Sequence, residues 1–325
     1  MYVDPYKENF IFKAYGQDEQ LTKKFTIFPY ELARYAFNAE RLELVQAFID
    51  EVNASGKRPV LVFSHDTDLP ISTFLSGRPF TFRYAMSKSH TYEDEHILPS
   101  GVSEFAEAIT AHPAMPWSER PKVTFMGFSM LFKPTPEEEK ARVVSERNSR
   151  GDVRGLISPD VFPTPANIGA VLRKQAVGII ESDSDIDSEF LMRQQFFYHY
   201  SEDFQNSVRD DYYRSMRDTH YVLAFRGAGN YSIRLIETLA AGRLPIQLDT
   251  NQVLPFENFV DWKSLGIWVP LPGLAKLNEI IKIHHAKFNE ASFNAEVQRV
   301  KEIFDEHLSR PGLLRHIKRI LVENL

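Results

Sequence analysis

Two short polar stretches of this chain directly follow apolar runs and carry side chains that can do chemistry. His65, Asp66 and Asp68 come after the apolar run 58–63, and Arg226 comes after the apolar run 221–225. Apolar runs of this length between polar turns predict short buried strands. In α/β sheets, ligands collect at the carboxyl ends of strands. Both stretches are therefore candidate ligand-binding loops.

The residues after Phe225 have the composition of a turn that binds phosphate. Arg226 offers a guanidinium that can pair with two phosphate oxygens, and Gly227 follows it at the bend. Ser232 stands where a helix N-cap belongs, ahead of apolar residues at helical spacing. Backbone N–H groups and the positive dipole end of such a helix attract anions. The stretch 221–248 thus predicts strand, turn, helix and strand, half of a nucleotide-binding layout.

Further polar side chains near this turn extend the prediction. Glu237 lies five residues after Ser232, where its carboxylate can accept hydrogen bonds from a ribose diol. Arg234 either adds positive charge or braces the fold, and Ser232 either bonds phosphate or only caps the helix. The turn matches neither a Walker A loop nor GxGxxG. An ordinary turn with a surface arginine and a capping serine therefore stays an open alternative.

The same stretch resembles the C-terminal signature of the exostosin-type glycosyltransferases, family 47 in the sequence-based classification of these enzymes. The correspondence runs in order and without gaps through Arg226-Gly227, Ser232-Ile-Arg234, Glu237-Thr238, Ala240-Ala-Gly242, Pro245-Ile246, Leu254-Pro-Phe256 and Trp262. Thr238 departs from the family, in which alanine is usual, and the cysteines that often decorate its strands are absent. A weaker likeness continues upstream, at 25–30, 62–66 and 97–99.

The resemblance implies an α/β protein with the GT-B arrangement, two Rossmann-like domains with a cleft between them. We expect an acceptor-side domain over 1–118, a nucleotide-sugar-binding domain over 119–300, and a C-terminal helix over 301–325 that packs back on the first domain. The resemblance also implies sugar transfer with inversion at the anomeric carbon, from a donor expected to be a UDP-sugar. The expected donor-binding residues are Arg226, Gly227, Asn230, Ser232, Arg234, Glu237 and Lys133.

The first polar stretch would then supply the group that accepts the proton of the acceptor hydroxyl. Asp66 is the predicted general base, and His65 and Asp68 are the other candidates. Two alternatives stay open, because Asp66 and Asp68 form a D-x-D triplet that binds a divalent metal in another class of glycosyltransferases, and because aspartates in such loops also cap helices. The GT-B type usually neutralises the diphosphate with a helix dipole and basic side chains. We therefore expect no metal and no cofactor.

Apolar periodicity predicts the elements that must position these loops. Strands are predicted over 9–14, 25–28, 58–63, 122–126, 176–180, 221–225, 244–248 and 266–270. Helices are predicted over 30–53, 136–148, 203–216, 232–241, 274–288, 293–308 and 313–324. The acidic run 181–189 is predicted to be a solvated loop, and the proline-rich segment 111–121 to be the linker between the domains.

Composition narrows the class of protein further. The formal net charge is -6, which argues against a general nucleic-acid binder, and the absence of cysteine excludes disulfides and thiolate metal sites. No apolar run reaches the length of about 18 residues typical of a membrane span, and the polar N-terminus is not a signal peptide. These features predict a cytoplasmic protein of bacterial or viral type. Basic residues over 315–319 leave a peripheral membrane contact open.

The sequence thus predicts a metal-independent inverting glycosyltransferase that acts on a glycan or a lipid-linked glycan, as in polysaccharide or surface glycan synthesis. A non-catalytic nucleotide-sugar-binding subunit is the alternative, because members of the family can work in pairs. A dinucleotide oxidoreductase with a degenerate glycine turn is a third hypothesis. The sugar, the linkage and a homo-oligomeric state stay open.

Overall fold

Two parallel sheets organise the structure, a computed structural model that describes residues 9–35, 38–67, 69–90, 92–99, 109, 115–128, 165–193, 202–227 and 229–325. One sheet has four strands and the other has five, and every pair of neighbouring strands in both is parallel. The predicted fold class, two α/β domains built on parallel sheets, is therefore confirmed. Lys133, Asp68 and the helix predicted over 136–148 lie outside the described residues.

The first sheet contains four strands in chain order: β1 (Phe25–Glu31), β2 (Arg58–Phe63), β3 (Phe80–Arg83) and β4 (Glu95–Ile97). The helix α2 (Ala39–Ala54) begins after Asn38, whose side chain accepts a hydrogen bond from the backbone N–H of Arg41. Its buried residues recur every three or four positions, at Val45, Ile49 and Val52. That spacing places them on one face of the helix, which packs on the sheet.

The strand predicted over 9–14 is wrong, because these residues begin a helix, α1 (Phe10–Tyr15). Asn9 caps it, accepting a hydrogen bond of 2.8 Å from the backbone N–H of Phe12 through its side-chain oxygen. The same side chain donates to the carbonyl of Phe28 in β1 at 2.7 Å. A short apolar run does not by itself distinguish helix from strand. Here the capping asparagine and its tertiary partner favour the helix.

The second sheet has the strand order β6-β5-β7-β8-β9. Its strands are β5 (Lys122–Phe128), β6 (Asp187–Arg193), β7 (Tyr221–Leu223), β8 (Leu244–Asp249) and β9 (Ile267–Pro270). The helices of this half are α3 (Pro165–Glu181), α4 (Glu202–Arg217), α5 (Ile233–Ala240), α6 (Leu277–His285), α7 (Glu290–Ile303) and α8 (Arg310–Glu323). Among the described residues, no helix is both long enough and apolar enough to cross a bilayer.

Two predictions in this half are wrong. The segment 176–180, predicted as a strand, is the last part of α3, in which Leu172, Ala176 and Ile180 are buried at intervals of one turn. The acidic run predicted as a loop ends in a strand, β6, which pairs with β5 and, among the described strands, forms the edge of the sheet. An edge strand tolerates polar and charged side chains, which is why its composition resembles that of a loop.

The two halves are joined by direct hydrogen bonds. The backbone N–H of Val253 donates to Met86 at 2.9 Å, and the N–H of Lys88 donates to Asn251 at 2.8 Å. At the other end of the chain, the hydroxyl of Tyr15 donates to the carbonyl of Leu314 in α8 at 2.7 Å. The first domain therefore contacts both the second sheet's loops and the last helix.

A buried ion pair supports the loop that carries Asp66. Arg83 is 1% exposed and pairs with Glu95, which is 8% exposed. The guanidinium of Arg83 also donates to the carbonyls of Thr67 at 2.5 Å and Leu69 at 2.9 Å. One carboxylate oxygen of Glu95 accepts a hydrogen bond of 2.7 Å from the backbone N–H of Ile71, at the end of this loop. The charged side chain of Arg83 thus holds the loop after β2 in place through hydrogen bonds to its backbone.

We predict that Glu95→Gln lowers the free energy of unfolding by about 3–5 kcal/mol, because it leaves the buried charge of Arg83 without its counter-ion. Denaturant unfolding measures the change. Glu93→Gln is the matched control, since Glu93 pairs with Arg78 at 3.2 Å on an exposed surface. Its cost should stay below about 1 kcal/mol. Equal effects of the two substitutions would contradict the prediction.

Candidate functional site

The turn after β7 folds back on itself before α5 begins. The backbone N–H of Gly227 donates to the carbonyl of Tyr231 at 3.2 Å, so this amide is used within the turn. Ser232 has the extended backbone of an N-cap residue, but its hydroxyl makes no capping hydrogen bond. The first N–H groups of a helix have no partner within it. An anion at this turn would therefore meet the start of α5 and the Ser232 hydroxyl rather than the Gly227 amide.

Asp66 of the first domain lies directly against this turn of the second. The Tyr231 side chain and the positive charge of Arg226 both act on the pKa of the Asp66 carboxyl. A Cβ atom at Gly229 would lie 2.9 Å from the Cα of Asp66, so only glycine fits at this contact. The structure thus brings together the two polar stretches, which are far apart in sequence.

The environment of Asp66 acts on its proton affinity in two directions. Burial raises the pKa of the Asp66 carboxyl, and the hydrogen bond from Tyr231 and the charge of Arg226 oppose that rise. The residue as a whole keeps solvent-exposed surface, although protein atoms crowd its carboxyl.

His65, the neighbouring candidate base, is held inside its own loop. Its Nδ1 accepts a hydrogen bond of 3.0 Å from the backbone N–H of Thr67. Its ring stacks on Phe63, with the ring centroids 5.5 Å apart. These contacts shape the loop that presents Asp66. Asp68, the third candidate, lies outside the described residues.

Arg234 and Glu237 sit on α5 and contact other elements of the second domain. Arg234 donates to the carbonyl of Met126 at 2.5 Å, and its guanidinium lies 4.6 Å from the ring centroid of Phe125. Glu237 accepts a hydrogen bond from the Tyr212 hydroxyl. Burial raises the pKa of Glu237, against the influence of Tyr212 and Arg234. The contacts of Arg234 are those of a brace, and a ribose contact of Glu237 stays a prediction.

Asn230 links the turn to the first domain. The residue is 2% exposed, and its side-chain NH2 donates to Ser87 Oγ at 2.9 Å and to the carbonyl of Thr250 at 3.1 Å. Its side-chain oxygen accepts a hydrogen bond of 2.8 Å from the Thr250 hydroxyl. Both ends of the amide are thus engaged with protein. The predicted donor contact of Asn230 stays a prediction, and the observed contacts hold the turn against the first domain.

Three side chains of the first sheet, absent from the sequence prediction, extend the polar surface beside Asp66. Ser64 donates to the carboxylate of Glu31, the last residue of β1, at 2.5 Å. Tyr84 follows β3, and its ring centroid lies 6.1 Å from that of Tyr231. Burial, and then the charge of Glu31, raise the pKa of Tyr84 to about 12. Glu31, Ser64 and Tyr84 lie at or directly after the ends of predicted or observed strands, and this position is the sequence signal that could have found them.

Arg173 on α3 is a further residue that the sequence analysis does not identify. Its guanidinium donates to the carbonyl of Phe225, just before the turn, at 2.9 Å. It also lies 5.5 Å from the ring centroid of Phe125. No local motif marks this position. Because 176–180 is predicted as a strand, the sequence prediction offers no helix here that could bring Arg173 to the turn.

The start of α3 packs tightly on the same turn. A Cβ atom at Gly169 would lie 2.4 Å from the carbonyl oxygen of Gly227 and 2.5 Å from that of Arg226. Glycine at this position therefore allows helix and turn to touch backbone to backbone. Any movement of α3 would move the turn.

Comparison with known proteins supports the resemblance over part of the chain. No family model matches. The chain is 35% identical over 81 residues to exostosin-1 of Drosophila melanogaster. The matched stretch makes up 25% of this chain and 11% of that protein. It is 30% identical over 70 residues to a probable glucuronosyltransferase of Oryza sativa subsp. japonica, which is 22% of this chain and 17% of that protein. The predicted resemblance to exostosin-like glycosyltransferases is confirmed over these stretches, and the chain matches less than a fifth of the length of either relative.

Solved structures with a related layout are distant in sequence. WaaG, a glycosyltransferase involved in lipopolysaccharide biosynthesis, is 12% identical, with a TM-score of 0.41 over 87% of this chain and 82% of its own. TarM of S. aureus, in a complex that includes UDP, is 9% identical, with a TM-score of 0.43 over 96% of this chain and 58% of its own. At these scores the likeness carries no statement about activity.

We predict that Gly169→Ala lowers both nucleotide affinity and the free energy of unfolding, the latter by about 1–3 kcal/mol, because the added methyl group has no space against the turn. Gly178→Ala in the same helix is the matched control, since no atom of the described residues lies within 4 Å of the position that its Cβ would take. That control should stabilise the protein by about 0.5–1 kcal/mol through helix propensity alone. Unfolding curves and nucleotide titrations compare the two, and a neutral Gly169→Ala would contradict the packing argument.

Proposed function

We propose that this chain is a glycosyltransferase of the GT-B arrangement, which transfers a sugar from a nucleotide-sugar donor to a glycan acceptor. The observation that carries the proposal is the contact between Asp66 and the turn that holds Arg226. It places a candidate proton acceptor of one domain beside a candidate diphosphate site of the other. The partial identity to exostosin-1 supports the same assignment.

The donor side of the proposal rests on the charges around the turn. Arg226 would pair with the diphosphate through charged hydrogen bonds, and the start of α5 with Ser232 would add neutral donors. These groups would also stabilise the negative charge that builds on the leaving nucleoside diphosphate. Since fixed cationic groups meet that charge, the proposal requires no metal ion. A UDP-sugar as the donor follows from the family resemblance.

The acceptor side rests on Asp66. In an inverting transfer, the acceptor oxygen forms its bond to the anomeric carbon as the bond from that carbon to the phosphate oxygen breaks. The acceptor proton passes to the Asp66 carboxylate, and the electron pair of the broken bond stays on the diphosphate. The sugar must lie between base and leaving group for this displacement. The Asp66 loop and the Arg226 turn, on different domains, would flank it.

We predict that UDP or GDP raises the melting temperature and that NAD does not, because only a ligand of the folded state stabilises it, by about 2.7 kcal/mol at a hundredfold excess over Kd. Arg226→Ala should abolish this stabilisation while the unliganded protein still unfolds cooperatively. Arg120→Ala is the control, since Arg120 is an exposed arginine paired with Asp187 at 2.7 Å. Stabilisation by NAD alone would favour the oxidoreductase hypothesis and overturn the proposal.

We predict that Asp66→Asn lowers turnover by about 10²–10⁴-fold, because the amide cannot accept the proton. Asparagine can still accept the hydrogen bond from Tyr231, so nucleotide affinity should be retained. The folded-state pKa of Asp66 is raised, so burial favours its protonated form, and the neutral amide should not lower stability. In the wild type, kcat/KM should fall as the pH falls through this raised pKa.

Asp50→Asn is the matched control for Asp66→Asn, since Asp50 is an exposed aspartate on α2. Release of nucleoside diphosphate from a donor measures turnover. If Asp66→Asn retained full turnover, Asp66 would not be the base. If the wild type bound nucleotide yet released none from any donor and acceptor, the non-catalytic subunit would be the better description.

A further inference from the structure

We propose that Arg173 is a second diphosphate-binding arginine, which lets the site distinguish a nucleoside diphosphate from a monophosphate. The inference rests on the proposed function, because it names the chemistry that the donor turn selects. Gly169 and Arg173 are one helical turn apart, so they share a face of α3. Gly169 brings that face against the turn, and Arg173 reaches over it.

The geometry places the Arg173 guanidinium beside open space at the bend. Its Nη2 donates to the carbonyl of Phe225 at 2.9 Å and would lie 3.6 Å from a Cβ atom at Gly227. Among the residues that the structure describes, nothing else lies within 4 Å of that Cβ position. Arg226 follows Phe225 directly, and its positive charge is close enough to act on the pKa of Arg173. Two adjacent guanidinium groups match two linked phosphates better than one.

The charges around Arg173 also indicate an anion. Within the described part of the chain, no carboxylate lies within ion-pair distance of Arg173 or Arg234, and the Nε atoms of both are buried without a hydrogen-bond partner. Burial, and then the like charges of Arg234 and Arg226, lower the pKa of Arg173 to about 9, and Tyr212 opposes this change. Glu237, which is under the influence of Arg234, already accepts a hydrogen bond from Tyr212.

Arg234 differs from the other two arginines in what it contacts. Its guanidinium donates to Met126 and lies over Phe125, so it supports the sheet rather than the open side of the turn. It contributes positive potential, while Arg173 has a donor atom at the bend itself. A bound diphosphate would supply a negative charge beside Arg173, which has no carboxylate among the described groups that act on its charge.

The test compares binding of UDP and UMP to the full chain by calorimetry, or of GDP and GMP if the melting screen selects guanine. In the wild type, UDP should bind more tightly than UMP. Arg173→Gln should weaken UDP by about tenfold or more, the worth of a charged hydrogen bond, and weaken UMP by less than about threefold. Arg173→Lys should recover part of the preference, because it keeps the charge but not the fork.

Lys174→Gln is the matched control, because it removes the same charge from an exposed neighbour on the same helix. It should leave the ratio of UDP to UMP affinity unchanged. If Arg173→Gln weakened UDP and UMP equally, Arg173 would only position the turn, and the inference would be overturned. It would also be overturned by an unchanged ratio in a folded variant.

The failure of this inference is distinguishable from the failure of the proposed function. If UDP and GDP bind, and Arg226→Ala abolishes that binding while Arg173→Gln leaves the ratio intact, only the role of Arg173 fails. If no nucleoside diphosphate binds to the wild type, the proposed function itself fails.

Discussion

The close contact between the Asp66 loop and the turn after β7 joins the two domains at the point where their strands end, and the candidate site depends on it. It fixes a carboxylate of the first domain against a turn of the second that carries positive charge. A side chain at position 229 would separate the two backbones. Reactive groups held this closely need little rearrangement when a substrate binds, which is the condition for orienting two reactants efficiently.

Each side of this contact is anchored by buried polar groups. On the first domain, the ion pair of Arg83 and Glu95 fixes the loop beneath Asp66. On the second, Asn230 bonds to both Ser87 and Thr250, so the turn is tied across the domain boundary. Buried polar networks of this kind cost stability if incomplete and specify one geometry if complete. The buried groups that hold the loops of a site determine how accurately its functional side chains are positioned.

The sequence predicts most of the part of the site that lies in the second domain, because strand, turn, helix and strand follow one another within a short stretch. Local spacing marks Arg226, Ser232 and Glu237 as candidates, the family resemblance favours them, and the position after a strand marks Asp66. The same local reasoning fails for the first helix, where a single capping asparagine decides between two conformations of an apolar run. Apolar length and composition do not separate these outcomes without the tertiary partner.

Arg173 shows why the rest of the site lies beyond local sequence patterns. No motif near Arg173 in the sequence marks this residue. Its approach to the turn depends on the contact of Gly169 in α3 with the turn after β7, which lies several elements later in the chain. The resulting cluster of arginines opposes folding, since like charges in a partly buried place repel one another. Such an arrangement persists where binding of an anion offsets the repulsion, because strained or uncompensated groups concentrate at functional sites. The repulsion among these arginines and the packing that enforces it both support the proposal that this turn binds a negatively charged ligand.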